Sequence, residues 1–383
     1  MKKKVLIFAV YYIPSFKGGG PIQSIKNLVD NLGDEIEFYI ITSDRDLGDN
    51  ESFSNIEINK WLQVGKAKVF YTNPADLTLK RTEKLINSIN YDSLYLNSFF
   101  SYKFSILPIL LNKLKRISNR PIVLAPRGEF SPGALDLKGV KKKVFINLAK
   151  VMGLYRNVTW HATAETEKKD IESLFRYRKK IKVAQNLTAD YKGLNYDKEL
   201  EKSQGKLKVV FVSRIHPKKN LKKAIEFLKD IDGKIDFNIY GPLEDKLYWY
   251  DCEKIIKNLP ENIKVLYKGE VNHDNIIDLF KSHHIFLFPT LGENFGHVIS
   301  ESLIGGCPVI ISDQTPWKNL EKYSAGWDIN LKDEDRFTEI LKYYVDLDDK
   351  TYKEISKSAF KYGKKMSNNT SDIKKYLHLF SGY

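Results

Sequence analysis

Apolar residues in this chain fall into short runs bounded by Gly, Pro, Asn and Asp. Between the runs lie longer stretches with apolar positions three or four apart. The short runs read as buried strands and the spaced stretches as amphipathic helices. In the first half this pattern predicts strands over 3–10, 36–42, 67–71, 93–97, 121–125 and 158–163. It predicts helices over 21–31, 78–89, 102–117, 138–152 and 165–176, the last after a capping region at Thr163–Thr166. The second half repeats the alternation, with strands near 207–213, 235–240, 263–268, 285–288 and 308–312 and helices near 219–230, 246–258, 273–282, 296–304 and 334–345. Strands alternating with helices imply parallel sheets, and two such sets imply two doubly wound α/β domains. A length of 383 residues also exceeds what one ordinary core organises. Asn186–Gly205 has little apolar periodicity, so the expected domains are 1–195 and 196–350, with a helical segment over 351–383.

The densest chemistry lies in Pro289–Trp317, PTLGENFGHVISESLIGGCPVIISDQTPW. The strand-like run Ile285–Phe288 leads into a loop, a short helix, a Gly-Gly-Cys-Pro turn and the apolar run Val309–Ile311. In an open α/β sheet such a loop sits at the carboxyl end of a strand, where ligands bind. A helix starting near Gly296 aims backbone N–H groups at that crevice, which suits a phosphate. Glu293 and Glu301 stand eight positions apart, just over two helical turns, so both carboxylates can face one ligand.

Charge is uneven along the chain. Residues 1–195 carry 32 Lys+Arg against 19 Asp+Glu, whereas residues 196–383 carry 30 against 29. A basic first half implies an anionic partner such as lipid headgroups, a lipid diphosphate, a charged glycan or nucleic acid. Solvated lysines in a Lys-rich protein are the plainer alternative. The aromatics sit mostly in strand-like runs rather than among the lysines, which argues against nucleic acid. Cys252 and Cys307 are the only cysteines, so neither a disulfide framework nor a cysteine-rich metal site is expected, as suits a reducing cytoplasm. No run of about 18 apolar residues predicts a membrane span. The N-terminal run is short and lacks a small-residue cleavage site, so it reads as a first strand rather than a signal peptide.

The Pro289–Trp317 segment resembles the donor-site signature of family 4 of the retaining glycosyltransferases (glycosyl transferases group 1), which have the GT-B architecture. The resemblance recurs in a Gly18-Gly19-Gly20 loop after the first strand. It recurs again in Val209–Val212 leading to Ser213-Arg214 with Lys219 five positions on, and in Phe237–Tyr240 ending at Gly241-Pro242. The resemblance implies two Rossmann-like domains facing a cleft and a C-terminal helical segment crossing back to the first. It also implies a nucleotide diphosphate sugar as co-substrate, with UDP the expected nucleotide, no metal and no cofactor. Arg214 and Lys219 would neutralise the departing diphosphate, Glu301 would bind the ribose hydroxyls, and Glu293 would sit by the donor sugar. Asn294, Phe295 and Gly296 would line the sugar pocket, with His297, Gly19, Gly20, Ser213 and Gly241 also against the donor. The acceptor would be a glycan or lipid-linked molecule held by the first domain, in bacterial surface polysaccharide or lipopolysaccharide assembly.

One departure stands out. Many members carry a histidine at a strand end near the reacting carbon, where this chain has Arg127, followed by Gly128-Glu129. Arg127 cannot act as a base, but it can hold a sugar, a phosphate or an anionic acceptor, or form a structural ion pair. Glu129 and His161 are further acceptor-site candidates, with burial the alternative for His161. Asp44-Arg45-Asp46 mimics a metal-binding Asp-x-Asp but lies in the wrong domain for the donor. Residues 138–155 mix lysines with Val, Phe, Ile, Leu and Met at near-helical spacing. They predict either a helix on an anionic membrane or one packing its apolar stripe on the sheet. Rival functional readings are a GT-B nucleotide-sugar epimerase, against which the paired glutamates speak, and a non-catalytic nucleic-acid or glycan binder.

Overall fold

The computed structural model describes residues 2–131, 134–135, 139–175 and 180–381. Lys138 and Arg176, at the edges of two predicted helices, lie outside the described residues. The chain forms two compact units, residues 1–189 with 369–383, and residues 190–368.

The first unit is built on an eight-stranded sheet of β1 (Lys3–Phe8), β2 (Ile36–Ser43), β3 (Trp61–Val64), β4 (Ala67–Thr72), β5 (Ser93–Asn97), β6 (Ile122–Ala125), β7 (Val158–Ala162) and β8 (Ile181–Val183). The order is β3-β4-β2-β1-β5-β6-β7-β8, parallel throughout except that β3 pairs antiparallel with β4. Successive strand residues face opposite sides. Leu6 and Phe8 therefore enter one core layer while Val5 and Ile7 enter the other. The connecting helices are α1 (Gly20–Leu32), α2 (Leu79–Asn87), α3 (Leu107–Lys113), α4 (Gly139–Val151) and α5 (Glu165–Leu174). The predicted helix over 102–117 is shorter and irregular, because one wide π turn at Tyr102–Ile106 precedes α3.

The second unit holds β9 (Lys206–Val212), β10 (Lys234–Tyr240), β11 (Ile263–Tyr267), β12 (Ile285–Phe288), β13 (Val309–Ser312) and β14 (Gly326–Ile329), all parallel in the order β11-β10-β9-β12-β13-β14. Its helices are α6 (Leu221–Glu226), α7 (Lys246–Ile256), α8 (Ile276–Lys281), α9 (His297–Ile304), α10 (Glu334–Asp346) and α11 (Asp349–Met366). The strand order reverses between β9 and β12, opening a crevice at their carboxyl ends. The corresponding reversal in the first sheet lies between β1 and β5.

The divisions between units differ from those expected at 195/196 and 350/351. Residues 190–205 belong to the second unit because their side chains are anchored there. The Lys198 ammonium donates to the carbonyls of Phe280, His283 and Gly306, and Lys202 to those of Ser203, Val345 and Leu347. Burial pulls both ammonium groups down to about 8. Helix α11 also stays with the second unit, since Tyr352, Ile355 and Ala359 enter its core. Only the last helix, α12 (Thr370–Phe380), returns to the first unit. Asn369 fixes its start by accepting from the Thr188 N–H at 3.1 Å and donating to the Thr188 carbonyl at 2.8 Å. Tyr376, Leu379 and Phe380 then fill the layer that contains Val5 and Phe38.

Phe380 meets Phe38 and Tyr95 edge to face, at centroid distances of 6.5 and 5.2 Å. Phe380→Ala should destabilise the first unit by about 3–5 kcal/mol. Urea unfolding reads the loss, and hydrogen exchange should show it in β1, β2 and β5 while protection of β9–β13 is kept.

Candidate functional site

At the carboxyl ends of β9 and β12 the chain makes two loops, 213–220 and 289–296, and hydrogen bonds lace them together. The Lys218 carbonyl accepts from the Leu291 N–H at 2.9 Å and from the Thr290 hydroxyl at 3.2 Å. Asn220 adopts a left-handed backbone, φ 60°, which asparagine tolerates, and its amide donates to the Pro289 carbonyl at 2.9 Å. His216 caps the intervening 3-10 turn, its Nδ1 accepting from the Lys218 N–H at 3.1 Å. Gly241 closes the other side. Its φ is 133°, and a Cβ there would stand 1.9 Å from the Ser213 carbonyl oxygen, so the two strand ends meet only because residue 241 has no side chain.

This lacing places charge. The Lys219 ammonium pairs with Glu293, both side chains being 13% exposed, and the Glu293 carboxylate also accepts from the Thr290 hydroxyl. Arg214 pairs with Glu244 at 2.7 Å. Two cations thus converge on the crevice, each held by an internal carboxylate. A guanidinium has five N–H donors, so Arg214 can keep Glu244 and still meet an anion.

Helix α9 starts beside this pair. Gly296 is its N-cap with φ 80°, and no side chain caps the helix start, leaving its positive end suited to an anion. Glu293 lies ahead of the helix rather than on it, so the helical-spacing argument for the two glutamates does not apply. The lysine pairing orients Glu293 instead. Glu301 is buried on α9, where Oε1 meets His273 Nε2 at 2.9 Å. Tyr191 is close enough that the Glu301 charge adds to burial in raising its hydroxyl pKa. Phe295 is placed differently from the expectation of a pocket wall. It is buried in the core, ring to ring with His297 and Trp317, and its carbonyl accepts from the Trp317 indole at 2.7 Å. It anchors the loop from beneath. His297 is likewise buried, and Asn294 half-buried.

Sequence reasoning missed Thr290, Asn220 and Glu244, and His273 as the partner of Glu301. His273 opens a short turn after β11 with no motif around it, and Glu244 follows a strand end at no fixed spacing. Asn220 carried a signal in the motif itself, as asparagine tolerates the left-handed backbone this turn needs.

In the first unit the three acceptor-site candidates are engaged internally. Arg127 has φ 57°. Its guanidinium donates to Asn97 Oδ1 at 2.8 and 3.0 Å, to the Tyr95 hydroxyl at 2.9 Å and to Asn186 Oδ1. It is a hub among β5, β6 and the 186 segment rather than a presented cation. His161 is buried. Its Nε2 faces the Ala184 carbonyl at 2.9 Å and must carry the proton, so Nδ1 accepts from the Tyr95 hydroxyl at 2.8 Å. Burial, then the Arg127 charge, pulls its pKa down to about 3. Glu129 accepts from the Ser98 hydroxyl at 2.7 Å and from the N–H groups of Phe99 and Phe100, and burial holds its carboxyl above the usual range. Glu167, unforeseen, ties the Gly128 N–H at 2.6 Å to the Thr163 N–H and hydroxyl, each at 2.7 Å. The glycine loop starts α1, with φ 70° at Gly19 as N-cap and Gly20 as the first helical residue. Asp46 anchors the preceding chain by accepting from the Phe16 and Lys17 N–H groups at 2.8 and 3.2 Å. Among the described residues no group of three or more His, Cys, Asp and Glu converges as a metal-ligand set.

Residues 194–362 match the family model described as Glycosyl transferases group 1, a segment that includes Arg214, Lys219, Glu293 and Glu301. A Klebsiella pneumoniae protein described as an uncharacterized 41.2 kDa protein in the cps region is 25% identical over 265 residues, covering 67% of this chain and 70% of that protein. Among solved structures, HepE of Anabaena in complex with UDP and glucose superposes with a TM-score of 0.71 at 15% identity over 100% of both chains. WaaG, a glycosyltransferase involved in lipopolysaccharide biosynthesis, does so with 0.68 at 12% identity, over 99% of this chain and 100% of its own. At those identities the likeness is one of fold, and the fold is GT-B.

Two outcomes follow from this geometry. Gly241→Ala should push the Ser213 and Gly241 loops apart and lower stability by about 1–3 kcal/mol, with ligand binding at the crevice weakened further, as a thermal melt with and without nucleotide will show. For His161, the folded pKa of about 3 lies below the ordinary value near 6.5. Below pH 6.5 the unfolded chain therefore binds a proton that the folded one refuses, and stability falls as pH drops. Between pH 7 and 5 this amounts to about 2 kcal/mol. A pH series of unfolding curves should lose that slope in His161→Gln, whatever the variant's absolute stability.

Proposed function

We propose that this protein is a retaining glycosyltransferase that moves a hexose from a nucleotide diphosphate sugar, with UDP as the nucleotide, to a glycan or lipid-linked acceptor in surface polysaccharide or lipopolysaccharide assembly. One observation carries the donor reading. Arg214, Lys219 and the start of α9 converge at the β9–β12 strand-order reversal, with the buried Glu301 on the same helix. Fixed cations and helix N–H groups are what a departing diphosphate requires, since its negative charge grows as the glycosidic bond breaks. A buried carboxylate held by a histidine is suited to accept two vicinal hydroxyls of a ribose. The family match over 194–362, the UDP complex of HepE and the cps-region relative support the same class of reaction and setting.

In the proposed reaction the acceptor oxygen bonds to the anomeric carbon on the face that the diphosphate leaves. The bond from that carbon to the phosphate oxygen breaks with its electron pair on the phosphate. The acceptor proton passes to the departing phosphate, so no protein base is needed. Arg214 and Lys219 neutralise the leaving group in the role a divalent metal would otherwise fill. As the diphosphate engages Lys219, the Glu293 carboxylate is released toward the sugar.

A thermal-shift panel of UDP, GDP, ADP and TDP with and without magnesium tests this reading. One diphosphate at a hundredfold excess over Kd should stabilise the protein by about 2.7 kcal/mol without magnesium. Arg214→Ala and Glu301→Ala should abolish the shift. A shift that needs metal, or that survives in both variants, would overturn the assignment of the donor site.

A further inference from the structure

Helix α4 (Gly139–Val151) is apolar on two opposite faces. Ile146 and Ala149 are buried against the first unit. On the far side Val140, Val144, Leu148 and Val151 are 79%, 62%, 53% and 86% exposed. Their spacing of four, four and three residues aligns them as one stripe along the helix. A surface helix ordinarily turns polar residues outward, so four large aliphatic side chains in a row facing water form an unpartnered surface. Met152 and Leu114, 42% and 59% exposed, extend the apolar character at the helix end, where the Lys113 ammonium donates to the Met152 carbonyl.

The charge carried by the helix itself is of one sign. At 100° per residue Lys141 falls on one flank of the stripe, and Lys143 and Lys150 on the other. All three are exposed. No Asp or Glu occurs anywhere from Leu137 to Ala164, a stretch with six Lys and Arg. A protein partner's groove would present an apolar floor, but a one-signed basic rim around an apolar ridge matches a surface whose interior is hydrocarbon and whose outside is negative.

We propose that the α4 stripe is a membrane-docking surface that lies in the interface of an anionic phospholipid bilayer. Val140, Val144, Leu148 and Val151 enter the boundary between headgroups and acyl chains, and Lys141, Lys143 and Lys150 meet the lipid phosphates. The helix is too short and too charged to cross, and no helix among the described residues is long and apolar enough to do so. The contact is therefore peripheral and reversible. This inference rests on the first unit alone, and stands or falls separately from the donor site in the second.

The full-length protein is mixed with vesicles of phosphatidylcholine alone or with phosphatidylglycerol, at low and high salt, and bound protein is separated by flotation. Wild type should float with the anionic vesicles, less so at high salt, and not with the neutral ones. The double variant Val144→Glu with Leu148→Glu should bind about tenfold more weakly or worse. Lys141→Gln, Lys143→Gln and Lys150→Gln should each weaken anionic binding about fivefold. Melting temperature and the nucleotide-induced shift, measured in parallel, should match wild type in every variant. Equal flotation on both vesicle types, or a glutamate variant that floats like wild type, would overturn the proposal. So would a wild-type dimer in light scattering that the glutamate variant dissolves while neither binds vesicles, because the stripe would then be covered by a second copy.

Discussion

The candidate site depends on the lacing of two strand-end loops. The Lys218 carbonyl takes the Leu291 N–H, and the Asn220 side chain takes the Pro289 carbonyl. Lys219 lies between those two residues. Its backbone is therefore held against the 289–296 loop on either side, by the Lys218 carbonyl and the Asn220 side chain, which brings its ammonium within reach of Glu293. The parallel pairing of β9 with β12 brings the loops within reach, and Gly241 admits the third strand end that completes the crevice. Without this lacing, a lysine and a glutamate 74 positions apart would be two solvated charges.

The first unit solves a different problem at its own strand ends. Arg127, Tyr95, Asn97, Asn186 and His161 form one continuous network, in which the Tyr95 hydroxyl accepts from Arg127 and donates to His161. In a low-dielectric interior each unsatisfied group in such a network costs stability. The neutral His161 and the multiply bonded guanidinium avoid that cost. The unused Nδ2 of Asn97 is the exception.

The parallel strands were legible because a strand covered on both faces is apolar along its whole length, as Val209–Val212 and Ile285–Phe288 are. β3, β8 and β14 were not. Trp61–Val64 and Ile181–Val183 have no fully buried residue, and Gly326–Ile329 buries only its ends. Arg214, Lys219, Glu293 and Glu301 could be singled out as candidates because motif spacing survives in sequence, and the structure sets Lys219 against Glu293. The partners Glu244 and His273 come from other strand ends, and nothing local marks them. Arg127, Glu129 and His161 stayed ambiguous in the sequence for a related reason. A strand end reads as ligand-facing, yet whether its side chain turns outward or inward depends on residues from distant segments, Asn186 and Ala184 among them. The lysine-rich helix held a comparable ambiguity, since its sequence has enough apolar residues for two faces and periodicity alone does not say which one is covered.

If the site takes a diphosphate as proposed, the pairing of Lys219 with Glu293 would also bear on turnover. A tethered carboxylate competes for its lysine at a far higher effective concentration than any free anion. It would therefore oppose the bound diphosphate at every stage of the proposed reaction. A departing nucleotide would leave a lysine whose replacement partner is already in place, so charge balance would return without waiting for solvent or ions. An internal counter-ion of this kind weakens the grip on an anion, so that a site able to stabilise a leaving group could also let it go.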